Sequence, residues 1–357
     1  MNLNDISILR LKNQQLSCSG LKSVKEIAGW MGALQAQDFN MSKWAFGIRM
    51  KDSTEATINR AIDSGDIIRT HLLRPTWHFV SSDDIFWIME LTAPRIRAAM
   101  KFRDKALGLT ETVFRKSNSV IQKSLRNGDH LTREELVSEL KRAGIETSGN
   151  RASHLLFRAE SNGIICSGRL KERKLTYTLL SEWVQKTGTF HHEKALKELS
   201  KRYFTSHGPA TLPDFIWWSG LSSKDAKLAL ELSKPDLSVE IIGNQSYWFA
   251  DYPDNAGSEN TEVYLLPAYD EFIISYRDRT ASIDLSNQKK AVSNNGIFHP
   301  TIVRNGKVIG TWKATGKQNS IILMLNFFEK SIMGRYPDML KASARLADYL
   351  GKKVKLS

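Results

Sequence analysis

Apolar residues recur at helical spacing through most of the chain, and each such stretch gives way to short runs that alternate with a period of two. The middle of the chain is the clearest. Thr132-Arg133-Glu134-Glu135 has the form of a capping box: the threonine hydroxyl accepts from the backbone three residues on, and Glu135 reaches back. Leu136, Val137, Leu140 and Ala143 follow on one face, and Gly144 ends the helix. Arg151 to Glu160 predicts a second helix with Leu155, Leu156 and Ala159 inward, stopped by Asn162-Gly163. Ile164-Ile165-Cys166 and Leu175 to Leu179 then predict strands on either side of a basic connection from Gly168 to Lys174. Helix, turn, helix, basic hairpin is the order of a winged helix.

The order recurs on both sides. Downstream, His192 to Phe204 predicts a helix with Ala195, Leu196, Leu199 and Tyr203 on one side, broken at Gly208-Pro209. Thr211-Leu212-Pro213-Asp214 starts a short helix carrying Phe215 to Trp218, and Ser223 starts a third. Leu237–Ile242 and Tyr247–Ala250 flank the turn Gly243-Asn244-Gln245-Ser246. Upstream, Ser23 to Glu26 is a capping box opening a helix with Val24, Ile27, Ala28, Met31 and Leu34 on one face. Thr54–Ser64 predicts another helix, and Ile67–Arg74 with Thr76–Val80 a hairpin around Pro75. After residue 261 strands dominate: Val263–Leu266, Pro300–Arg304 paired with Lys307–Trp312 across Asn305-Gly306, and Ser320–Phe328, with a closing helix Met339–Leu350. The expected fold is α+β: three tandem winged-helix units over residues 1–120, 121–185 and 186–258, then a small β-barrel-like domain over 259–357.

Charge points to a partner. Lys and Arg number 51 against 38 Asp and Glu, a net of +13 in 357 residues, with a pI near 9.6. The excess is clustered: residues 101–200 carry a net +7 and residues 301–357 a net +8, whereas 251–300 carry −4. Clustering favours a polyanion track over lysines spread for solubility, and DNA is the first candidate. No run approaches the roughly 18 apolar residues of a membrane span, and the N-terminus lacks the pattern of a secretory signal. Cys18 and Cys166 make neither a disulfide framework nor a zinc site and fit a reduced cytosol. The expected location is cytoplasmic, at the nucleoid, with no membrane partner. His191-His192 lacks companion ligands, so neither metal nor cofactor is expected.

Gln35-Ala36-Gln37 stands at the end of an apolar helix. Two glutamines at i and i+2 do not share a helical face. A polar helix end facing water explains them on composition alone; an unwound helix would turn both amides into a cleft.

Ordered blocks through the chain carry a resemblance. They are Trp30-Met31-Gly32-Ala33-Leu34-Gln35-Ala36-Gln37, Arg69 to Val80, Tyr203-Phe204 with Gly208 to Thr211, Asp214 to Leu221, Leu265 to Glu271, Tyr276-Arg277-Asp278-Arg279 and Gly310-Thr311-Trp312. In these the sequence resembles the AlkZ/YcaQ-type DNA glycosylases, whose catalytic motif is glutamine, an apolar residue, then glutamine or aspartate. The resemblance implies that Gln35 and Gln37 are catalytic, in the double-glutamine form of the crosslink-unhooking branch. Asp38 is out of register, and Pro75 stands where relatives commonly have glycine.

Two neutral amides suit one substrate class. An ordinary base needs its leaving group protonated, for which a carboxylate pair would be expected. An N7-alkylated purine is already cationic and leaves as a neutral base. What remains is to place water beside C1′ and to stabilise an oxocarbenium-like sugar, which rigid amide dipoles can do. The expected function is a DNA repair glycosylase for N7-alkylated purines in double-stranded DNA, extending to interstrand crosslinks. It would be monofunctional, since no motif places a lysine nucleophile, and monomeric. A non-catalytic winged-helix regulator is the alternative, equally served by basic wings.

Arg69, Arg74, His78, Lys171, Arg173 and Lys174 are the expected DNA contacts, the last three on a wing that reaches phosphates. Their alternatives are a solvated hairpin tip for the wing, pairing with Asp63 or Asp66 for Arg69 and Arg74, and a core histidine for His78. Trp217-Trp218 is expected in the core. Asp270-Glu271, on a strand, would face opposite ways and form no dyad.

Overall fold

A computed structural model describes residues 1–186, 188, 191–250, 262–317, 319–329 and 336–357. The chain opens with α1 (Leu3–Asn13) and α2 (Val24–Met31). Ser23 caps α2 by accepting from the Glu26 N–H, and Gly32 at φ 73° ends it. Leu34 is therefore not on the helix, as its spacing had suggested; it belongs to the two-residue strand β1 (Leu34–Gln35). Asp38 caps α3 (Phe39–Gly47), Thr54 caps α4 (Glu55–Asp63), and the hairpin β2 (Ile67–Leu72) and β3 (Thr76–Ser81) follows. The sheet order is β1-β3-β2, with β1 antiparallel to β3.

The same order occurs twice more. After the 22-residue α5 (Ile85–Ala106) come α6 (Glu111–Ser124), β4 (Leu131–Thr132), α7 (Arg133–Arg142), α8 (Arg151–Ser161), β5 (Ile165–Ser167) and β6 (Thr176–Leu179), with sheet order β4-β6-β5. A short α9 (Leu180–Trp183) leads to α10 (His192–Ser206), α11 (Leu212–Ser219), α12 (Ser223–Ser233), β7 (Ser238–Ile242) and β8 (Gln245–Phe249). Here a lone bridge, Ala210 to Trp248, replaces the first short strand. The expected border between residues 120 and 121 cuts α6, whose Phe114 and Ile121 pack with Leu136, Leu155 and Ile165; the middle unit starts before α6. The border at 258 and 259 lies outside the described residues.

The last stretch contains β9 (Val263–Leu266), α13 (Glu271–Ile274), α14 (Leu285–Ala291), β10 (Thr301–Arg304), β11 (Lys307–Lys317), β12 (Ser320–Phe327), α15 (Tyr336–Leu350) and β13 (Lys353–Leu356). Asn305 and Gly306 both take positive φ, as a type I′ hairpin requires. The sheet runs β9-β10-β11-β12-β13, antiparallel except for the parallel pair made across α15, and β9 does not pair with β13. It is an open five-stranded sheet.

Alternation on the first sheet decides how these parts join. Leu34, Ile67 and Phe79 face one way, into a core shared with Leu265, Ile302, Trp312 and Leu346. Ile68, Leu72 and Val80 face the other way, into a core shared with Leu196, Tyr203, Phe215 and Trp218. The sheet carrying the glutamines is thus covered on both faces. The middle unit has a core of its own. Among the described residues no helix is long and apolar enough to cross a membrane.

Candidate active site

The motif straddles the end of β1. Leu34 and Ala36 lie in the core, Gln35 is the last residue of the strand, and Gln37 stands in the bend that leads to α3. Gln35 is almost enclosed at 4% exposure, whereas Gln37 is open to solvent and its side chain makes no hydrogen bond among the described residues. Asp38 turns away to cap the Met41 N–H of α3 and takes no part.

The backbone between them is pinned from three directions. The Ala36 N–H donates to the Trp77 carbonyl at 2.7 Å. The Ala36 carbonyl accepts from Arg69 Nε and Nη2 at 3.1 and 3.0 Å. The Gln35 N–H donates to Glu271 Oε1 at 2.5 Å. Arg69 itself lies over the Trp77 ring at 4.5 Å, and its own N–H donates to Ser167 Oγ at 2.8 Å. These contacts correct the expectation for Arg69. It is buried, its guanidinium is spent on the motif's central carbonyl, it pairs with neither Asp63 nor Asp66, and burial lowers its pKa.

His78 stands opposite Gln35 in the register and is also interior, so it cannot touch a phosphate. Burial is the main cause that brings its pKa down to about 3, with Arg74 adding to the shift. The ring is neutral: Nδ1–H donates to the Thr76 carbonyl at 3.0 Å, which leaves the Nε2 lone pair enclosed and without a partner among the described residues. Thr76 Oγ1 in turn donates to Gln35 Oε1 at 3.4 Å.

Asp270 and Glu271 open α13 instead of lying on a strand. Asp270 caps Phe272 and takes both Nη atoms of buried Arg49 at 2.8 Å. Glu271 accepts from the Gln35 N–H and the Ser275 hydroxyl, with His207 Nε2 at 3.7 Å. Burial opposes its charge, but these donors outweigh it and hold the carboxyl below its usual range. Burial is likewise the largest influence on His207 and lowers its pKa, so the negative charge rests on Glu271. Glu271 was not anticipated; only its place in the Leu265–Glu271 block marked it.

The remaining expected contacts fall into two groups. Arg74 is half-buried beside this site, near Glu271 and Trp217. Lys171, Arg173 and Lys174 lie on the exposed turn between β5 and β6, where Glu172 and Arg173 take positive φ. Lys171 pairs with Glu135 at 2.6 Å. Trp218 is buried as expected, but Trp217 is 39% exposed. Among the described residues no three of His, Cys, Asp and Glu gather as a metal site would require.

The class to which this chain belongs is that of the DNA glycosylases. Within that class, the family model described as DNA glycosylase AlkZ-like matches residues 28–349, and the chain belongs to that family. It is similar to the interstrand DNA cross-link repair glycosylase of Streptomyces sahachiroi, 22% identical over 323 residues that make up 87% of each chain. The solved structure of Streptomyces sahachiroi DNA glycosylase AlkZ superposes over the whole of both chains with a TM-score of 0.82 at 18% identity.

Proposed function

We propose that this protein hydrolyses the N-glycosidic bond of cationic N7-alkylated purines in duplex DNA, and that crosslinked purines are among its substrates. The observation that carries the reading is the fixed backbone of Gln35-Ala36-Gln37, held by Arg69 at the Ala36 carbonyl and by the buried Glu271 carboxylate at the Gln35 N–H. Gln35 and Gln37 hold a water by its hydrogens. The C1′–N9 bond breaks, its electron pair neutralises the cationic base, and the water oxygen bonds to C1′ as its proton passes to solvent. Glu271, behind Gln35, favours the positive charge that develops on the sugar. No lysine is required, in keeping with a monofunctional enzyme. The chemistry needs one copy of the chain.

The three repeats of helix, short strand or single bridge, two helices and hairpin support reading each as a winged helix. Arg173 and Lys174 on the middle wing then reach phosphates, whereas Lys171 first has to leave Glu135. The relative's described role in crosslink repair supports the bulkier substrate, because a motif half open to solvent at Gln37 does not require the adduct to enter a closed pocket.

The test is a labelled duplex with one N7-methylguanine, incubated with wild type, Gln35→Ala and Gln37→Ala, abasic sites being revealed by alkali. A loss of at least about tenfold in both variants, some 1.4 kcal/mol of barrier, is expected. Unchanged rates in both would remove the glutamines from the mechanism.

A further inference from the structure

The four-residue α13 holds more than Gln35. At its far end the Ile273 carbonyl accepts from Arg279 Nε at 3.0 Å, and the Ile274 carbonyl accepts from Trp217 Nε1 at 2.8 Å. Two guanidinium groups lie against that indole: Arg279 at 5.6 Å and Arg74 at 5.4 Å from the ring centroid. Phe298 supports Arg279 from a further side, at 5.0 Å. One short helix therefore brackets the glutamine strand and an open indole carrying two cations.

Among the described residues neither arginine has a carboxylate partner. The Arg74 side chain makes no hydrogen bond or ion pair among the described residues, and its Nε is shut off from water. Several other interior arginines are matched, Arg49 by Asp270, Arg158 by Asp104 and Glu111, Arg202 by Asp84 and Glu198, while Arg69 places two N–H groups on the Ala36 carbonyl. The acids nearest Arg279 are otherwise engaged. Asp214 accepts from the backbone of Arg277 and Asp278, and Asp278 accepts from Thr280. Burial lowers the pKa of both arginines, and Arg74 adds to the shift on Arg279. Half-buried like charges held side by side without a counter-ion are costly, and an anion between them would remove the cost.

We propose that Arg74, Arg279 and Trp217 form a site for one phosphodiester of the DNA strand, next to the nucleotide whose C1′ faces Gln35. The planar forks of two arginines match phosphate oxygens, and the indole holds both forks in place before DNA arrives. The site rests on the glycosylase reading of the neighbouring glutamines and adds the contact that sets the register of the strand against them.

The experiment uses a duplex whose N7-methylguanine sits on a 2′-fluoroarabinose, which resists cleavage, with each flanking phosphate replaced in turn by an uncharged methylphosphonate. Equilibrium binding is measured for wild type, Arg74→Ala and Arg279→Ala. Neutralising one particular phosphate should weaken wild type roughly tenfold. It should weaken either variant by less than about twofold, because the partner is already gone. The logarithmic salt slope should also fall by about one in each variant. Arg279→Lys, which keeps the charge, covers the case of a misfolded alanine variant: it should regain the slope with only part of the affinity. Equal methylphosphonate penalties in wild type and variants at every position would overturn the site. Failure of the glycosylase reading shows separately, as no abasic sites from an ordinary N7-methylguanine duplex with wild type, and leaves the phosphate coupling readable.

Discussion

At the scale of single residues, burial sorts the expected contacts into different duties. Arg69 holds the Ala36 carbonyl with two N–H groups, a fork that lysine cannot reproduce. Arg69→Lys should therefore lower kcat by about tenfold or more at nearly unchanged duplex affinity. Single-turnover rates beside binding curves check it, and a loss confined to affinity would return Arg69 to the DNA surface. His78 has a consequence for stability. Its pKa of about 3 lies below the unfolded value of 6.5, so on acidification the unfolded chain takes up a proton that the folded chain refuses. Its contribution is complete above about pH 6.5 and is lost as pH falls towards 3. Thermal melts from pH 7 to 4.5 should show Tm falling less steeply in His78→Gln than in wild type, with a residual slope from His207. Equal slopes would mean that His78 titrates freely. The glutamine pair was legible only through the resemblance, and residue type alone could not separate an interior arginine or histidine from a phosphate contact. That distinction depends on what packs over the sheet from 98 or more residues away, as with Ser167 on Arg69 or Glu271 on Gln35.

At the scale of elements, capping residues and hairpin turns made most helices and strands readable, because each signal lies within a few residues of what it controls. Thr132 with Glu135 and Asn305-Gly306 act as their patterns suggest. The two-residue β1 had no such signal: its strand character comes from pairing with β3, and its apolar residues also fit a helix face. The turn from Leu73 to Pro75, which presents Arg74, depends on an equally distant partner. Gly220 caps α11 at φ 66°, and a Cβ there would lie 2.3 Å from the Leu73 carbonyl oxygen. Gly220→Ala combines left-handed strain with a backbone clash and should cost roughly 1–3 kcal/mol, read as a lower denaturation midpoint. It should also weaken duplex binding by shifting Arg74. A change below about 0.5 kcal/mol would show that the turn gives way freely.

At the scale of the whole molecule, the expected division into four successive units meets a core organisation that does not follow chain order. The first sheet has no face left for water: one side completes a core with the open C-terminal sheet, the other with α10 and α11. The middle unit differs, since Leu109, Phe114, Ile121, Leu136, Leu140, Leu155, Leu156 and Ile165 close a core without residues from elsewhere. A periodicity read along the chain reports which face of an element is apolar but not which remote element covers it, so the border between separable and inseparable parts could not be drawn from it. The physical difference is measurable. Residues 107–186 expressed alone should give native-like helical content and a cooperative urea transition, because their apolar faces meet one another. A fragment of residues 1–106 should lack such a transition, because Phe79 and Ile67 on one face and Ile68 and Val80 on the other lose their partners together. The two outcomes depend on each other. If residues 1–106 fold alone, the burial of both faces is dispensable, and the hold on Ala36 must come from Arg69 and the Trp77 carbonyl, both within the fragment. If neither fragment folds, the middle unit draws on its contacts with β2, where the His71 N–H donates to Glu160 at 3.2 Å and the Arg69 N–H to Ser167, and is then mechanically tied to the strand whose Arg69 holds the Ala36 carbonyl.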